Sequence, residues 1–142
     1  MTIVEMKDLD VLVVDDNEPM RLLLRKHLGD LGIGAVRTAV DGMEALKLTG
    51  EQQPDLIITD QQMDRLDGLH FVWELRTSSD PKLKDIPVIM MTAYTATELL
   101  QEAVKAGIDD FLAKPISRET LSERLLVILS KINRREATRR AS

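Results

Sequence analysis

Five polar residues of this 142-residue chain stand at the ends of short stretches that read as strands, most of them aliphatic. Asp15 and Asp16 follow residues 11–14, Asp60 follows 56–58 with Thr59 between, Thr92 follows 88–91, and Lys114 follows 108–113. Such runs suit short strands buried on both faces, so each polar residue falls where a strand would leave its sheet. Three carboxylates brought together repel one another and must be neutralised or protonated. A hard divalent cation does this, and Mg²⁺ suits a site with few protein ligands and several retained waters. With the cation bound, an ionised Asp60 is a nucleophile able to take a phosphoryl group as an acyl phosphate. The transferring group spreads charge over its equatorial oxygens and favours nearby cations and donors. Lys114 offers a point charge and Thr92 a hydroxyl. Alone, Asp60 reads more readily as a turn former or helix cap, Thr92 as a helix N-cap, and Lys114 as a surface lysine before a turn proline. Independent caps would not be expected to place all five at the ends of four strands.

The elements that must position these residues follow from periodicity. After the first run, Glu18 and Pro19 suit the opening turn of a helix with spaced positions at 20, 23, 24, 27 and 28, stopped by Gly29 to Gly34. A weaker strand covers residues 35–39, and Asp41-Gly42 reads as a turn before a short helix closed by Gly50. Behind the Asp60 strand come a loop, a helix over 68–77, a polar loop over 78–85 and a strand over 87–91. Leu99, Leu100, Ala103, Val104 and Ala106 mark a fourth helix, stopped by Gly107. Residues 108–113 give a fifth strand. Ser117 caps a fifth helix with an apolar stripe at 121, 125, 128, 129 and 132, ending near Asn133. Five strands alternating with five helices predict an α/β fold, a doubly wound five-stranded parallel sheet of flavodoxin-like order 2-1-3-4-5. That order sets strands 1 and 3 side by side at the switch point, so Asp15, Asp16 and Asp60 share one crevice, with Thr92 and Lys114 on the same edge. The expected organisation is an N-terminal extension over 1–7, one domain over 8–133 and a basic, solvated tail over 134–142.

Composition narrows the function. Aromatics make up 3% of the chain, too few for a platform of rings that stacks nucleic-acid bases. There is no cysteine, so disulfides and thiolate metal sites are excluded. The net charge is -5, yet residues 131–142 carry Lys131, Arg134, Arg135, Arg139 and Arg140 against Glu136. That segment is +4, which leaves the body at -9. An acidic body argues against direct DNA binding. No apolar run approaches the ~18 residues a membrane span needs, so membrane insertion is not expected. The acidic start lacks the features of a signal peptide, and the expected location is cytoplasmic.

Taken together, Asp15-Asp16, Asp60 with Met63 and Asp67-Gly68, Met91-Thr92-Ala93 and Lys114-Pro115 resemble the motifs of a response-regulator receiver domain, the phospho-acceptor half of two-component signalling. The resemblance runs from about Asp8 to Ile132. It implies that Asp60 accepts a phosphoryl group from a sensor histidine kinase or a histidine phosphotransfer protein. It implies that Asp16, Asp60 and the backbone carbonyl of Gln62 ligate Mg²⁺, with Asp15 reaching the metal through water. Thr92 and Lys114 would contact the phosphoryl group. Phe111 occupies the place of the family's aromatic switch residue. Gln62 and Tyr94 occupy the two variable places that set the lifetime of the phosphorylated state. A downstream protein target would bind the face made by helix 4, strand 5 and helix 5. With no output domain evident after Asn133, a stand-alone regulator similar to those of chemotaxis is expected; a piece of a longer regulator is the alternative.

One residue departs from the family pattern. Asp64 stands where a Pro usually follows Met63, so the loop after Asp60 is expected to be less rigid and more negative. Two other functions compete. A phosphohydrolase of the haloacid dehalogenase type needs a nucleophile and a general acid two residues apart, whereas Asp15 and Asp16 are adjacent. An adaptor that never uses Asp60 would have no need of the complete residue set.

Overall fold

The computed structural model describes residues 3–93 and 97–141. Its strands are β1 (Asp10–Val14), β2 (Ala35–Ala39), β3 (Leu56–Asp60), β4 (Val88–Thr92) and β5 (Asp110–Ala113). Its helices are α1 (Glu18–Asp30), α2 (Gly42–Glu51), α3 (Gly68–Arg76), α4 (Pro81–Lys84), α5 (Thr97–Ala106) and α6 (Arg118–Ala141), and a 3₁₀ turn covers Met6–Asp8. All strand pairs are parallel and the sheet order is β2-β1-β3-β4-β5, the flavodoxin-like arrangement expected.

The alternating pleat of the strands divides the core into two layers. Val11, Val13, Ile58, Ile89 and Met91 face one side, where Leu24 and Leu28 of α1 and Leu121, Leu125 and Ile128 of α6 cover them. Leu12, Val14, Ile57, Val88 and Met90 face the other, beneath Ala45, Phe71, Val72, Leu75 and Ala103 of α2, α3 and α5. Each fully buried Leu, Ile, Val or Phe contributes about 1.5–3 kcal/mol. The aliphatic runs therefore hold the sheet together and fix the level at which every strand ends.

Three expectations need correction. The described chain has six helices, not five, because Asp80 caps a single turn at Pro81–Lys84 within the expected loop, accepting from the Lys82 amide at 3.0 Å. The last helix does not stop near Asn133 but continues to Ala141, so the basic segment is helical. Nothing in 134–141 breaks a helix, and Arg135 ties it back by donating to the Asp85 carbonyl at 2.6 Å. Strand β5 begins at Asp110, two residues later than expected. There the Asp109 carboxylate is occupied with Arg76 at 3.0 Å, the Val88 amide at 2.8 Å and Lys131.

Candidate functional site

Strand β1 delivers Asp15 to a buried position and Asp16 to an exposed one, and β3 delivers Asp60 beside them. The register pairs Val14 with Thr59, so both strands end at one level. One carboxylate oxygen from each of Asp15, Asp16 and Asp60 lies within 4.8 Å of the other two. The cleft they form is also lined by Asn17, Gln62, Asp64 and Lys114. Lys114 reaches in from the end of β5, its Nζ 3.1 Å from Asp60 Oδ1, and that same oxygen accepts from the Gln61 amide at 2.9 Å.

Thr92 is buried at the end of β4, and its carbonyl accepts from the Lys114 amide at 3.0 Å, which ties these two strand ends together. The expected set is thus assembled on one edge: Asp15, Asp16, Asp60, Gln62 and Lys114 line the cleft, with Thr92 next to them. Phe111 lies outside the cleft, opposite Met90 in the β4–β5 register and partly buried against the second core layer. Tyr94 falls outside the described residues.

Local rules explain the placement. Asn17, not singled out from the sequence, caps α1 by accepting from the Met20 amide at 2.9 Å, while its own amide donates to Asp15 Oδ1 at 2.9 Å. A dense polar turn behind a strand was the available signal. Asp67 caps α3 by accepting from the His70 amide at 2.9 Å. Gly68 follows because a Cβ there would lie 2.4 Å from the Asp60 carbonyl oxygen. Gly68 is thus a packing requirement of the strand that carries Asp60, and Asp67 the cap of the helix behind it.

The electrostatics favour a cation. Burial pushes the Asp15 carboxyl above its usual range; the Asn17 amide opposes this, the Asp60 charge adds to it, Lys114 opposes it and Asp16 adds again. Asp15 Oδ2 is buried with no hydrogen-bond partner among the described residues. An orphaned buried oxygen within a cluster of oxygen donors fits a hard, oxygen-seeking divalent ion. Lys114 alone does not neutralise three carboxylates.

A doubly wound parallel sheet with an acidic switch-point cleft and a strand-end lysine defines a receiver-type signalling module. The chain belongs to the response regulator receiver domain family, whose sequence profile matches residues 11–126. It is similar to chemotaxis protein CheY-3 of Vibrio cholerae, 33% identical over 126 residues that cover 89% of this chain and 95% of that one. It is also similar to Response regulator MprA of Mycobacterium sp. strain KMS, at 37% identity over 121 residues, 85% of this chain. The match spans 50% of MprA's length. Among solved structures, chemotaxis response regulator CheY4 of Vibrio cholerae superposes with a TM-score of 0.78 at 36% identity, covering 84% of this chain and 98% of that one. The receiver domain of sensor histidine kinase PA1611 from Pseudomonas aeruginosa, with a magnesium ion coordinated in its active site cleft, superposes with a TM-score of 0.77. It is 28% identical and covers 86% and 98% of the two chains. Receivers are modules of two-component signalling, and no helix among the described residues is long and apolar enough to cross a membrane.

Proposed function

We propose that this chain is a phosphorylation-switched regulator in which Asp60 is the acceptor. The observation that carries the reading is the 3.1 Å contact between Lys114 and Asp60 inside a cluster of three carboxylates. Asp16, Asp60 and the Gln62 carbonyl would hold Mg²⁺ directly, and Asp15 through water. When bound, the ion supplies positive charge to the oxygens of the transferring group. An Asp60 carboxylate oxygen attacks the phosphorus of a phosphohistidine; the new O–P bond forms as the N–P bond breaks, and the leaving imidazole takes up a proton. Lys114 and Thr92 would hold the phosphoryl oxygens, and this is the contact that differs between the two states.

Loss of the phosphoryl group requires water to attack phosphorus opposite the Asp60 oxygen, releasing inorganic phosphate. Gln62 lines that cleft, and Tyr94, in the second of the two variable places, would slow that attack. Thr92 moving toward the phosphoryl group would free space for Phe111 to turn further inward. Lacking a hydroxyl, its ring favours the buried position. The change would be read by a protein target on the face of α5, β5 and α6. Apart from the phosphoryl transfer and its own dephosphorylation, the chain would catalyse no reaction, and it would act in the cytoplasm without binding DNA. Phosphotransfer from a panel of histidine kinases, followed by pull-down with the phosphorylated form, tests the reading. A kinase that labels the chain and a partner held only by the labelled form support it; no labelling by any kinase or by acetyl phosphate contradicts it.

A further inference from the structure

The loop over residues 61–67 carries Gln62 and Asp64 to the cleft without the proline that would stiffen it. Its near end is secured by Gln61: the carbonyl accepts from the Gly68 amide at 3.0 Å and the side-chain oxygen from the Leu69 amide at 2.9 Å. Its far end is fastened to a different helix. Arg65 Nε donates to Asp41 Oδ2 at 2.7 Å, and the Arg65 carbonyl accepts from the Gly42 amide at 3.1 Å. The loop lies flat on the start of α2, because a Cβ on Gly42 would come within 2.3 Å of the Leu66 carbonyl oxygen. Leu66 adopts a φ of 59°, a conformation few non-glycine residues hold without support.

Asp41 is shaped for this second task. It is buried, caps α2 by accepting from the Glu44 amide at 2.9 Å with Oδ1, and offers its other oxygen to Arg65. Burial pushes its carboxyl upward, but the bonds from Arg65 and from the Glu44 amide outweigh that and hold it below the usual range. A helix cap needs one oxygen only, and asparagine or serine would serve equally. The second, charged oxygen is surplus to capping.

We infer that Arg65 and Asp41 form a clamp that positions the Gln62–Asp64 segment for cation binding, in place of the rigidity a proline would give. Both are positioning residues, and the inference deepens the proposed function, on which its metal-binding part rests. With the clamp open, the loop samples arrangements that withdraw Gln62 from the carboxylates, and the apparent affinity falls by the fraction of time it is misplaced.

The test uses Arg65→Ala, Asp41→Asn and the double variant. Asparagine keeps the cap and removes the charge. Amide hydrogen exchange on metal-free protein is expected to speed up about tenfold at Gly42, whose amide donates to the Arg65 carbonyl, in each single variant, with the sheet unchanged. Calorimetric titration with Mg²⁺ is expected to give about threefold weaker binding in each single variant. The double variant should be no weaker than either, since both changes open one contact. Unchanged exchange at Gly42 overturns the clamp, as do additive losses of affinity. If wild-type protein takes up no Mg²⁺ it is the proposed function that fails, and the exchange measurement alone then supports or overturns the clamp.

Discussion

Replacing Asp15 by Asn should make the metal-free protein more stable. Asp15 is 1% exposed, and its Oδ2 has no partner among the described residues. Asp60 and Asp16 each place a carboxylate oxygen within 4.8 Å of an oxygen of Asp15, and at an effective dielectric of about 20 one such pair costs about 3.5 kcal/mol. Lys114 beside Asp60 and the exposure of Asp16 offset much of this, leaving a net gain of about 1–2 kcal/mol for the neutral amide. The Asn oxygen can still accept from the Asn17 amide, so the loop geometry survives. The pH dependence has a definite sign. With the folded-state value raised above 3.8, the folded protein holds more protons at this position. Its stability contribution is full below 3.8 and falls as pH rises through the folded value. The advantage of the variant therefore opens across that window and is constant at neutral pH. Urea denaturation at neutral pH with a chelator reads it directly. Excess Mg²⁺ should shrink or reverse the difference, because a ligand at about 100 times its Kd would stabilise wild type by about 2.7 kcal/mol, and the variant should bind it more weakly. A variant no more stable than wild type in chelator would refute the claim that the cluster is held together at a cost.

Lys114→Ala should leave much of the labelling by acetyl phosphate intact while abolishing phosphorylation-dependent partner binding, since on the proposed reading the ammonium would be one of two groups to sense a new charge of about -1.5 to -2. Full switching in the variant, measured by pull-down, would make Lys114 structural only. Tyr94→Ala should shorten the phosphorylated half-life severalfold, about 1 kcal/mol on the barrier. It is followed as dephosphorylation in excess Mg²⁺ without kinase, and an equal or longer half-life would remove the shielding role.

The sheet and its order were legible because β1, β3 and β4 each carry an apolar run, over residues 11–14, 56–58 and 88–91, that a sheet covered on both faces buries. The positions of Asp15, Asp16, Asp60, Thr92 and Lys114 follow once the strand ends are aligned. What escaped lacks a local pattern. Helix α4 is four residues long, too short for periodicity, although Asp80-Pro81 is a recognisable start. Helix α6 outlasts its apolar stripe because its end is tied to Asp85, 50 residues away. The pairing of Arg65 with Asp41 spans 24 residues and joins a loop to a helix cap, so neither residue announces the other. The loop expected to be loose for want of a proline is therefore fastened at both ends.

The central claim is that Asp60 receives the phosphoryl group. Incubation of wild type and Asp60→Asn with radiolabelled acetyl phosphate and Mg²⁺ tests it most directly, since the amide is a poor nucleophile and removes one of the charges that would hold the ion. Label on wild type and none on the variant is the predicted result; undiminished label on Asp60→Asn would contradict it.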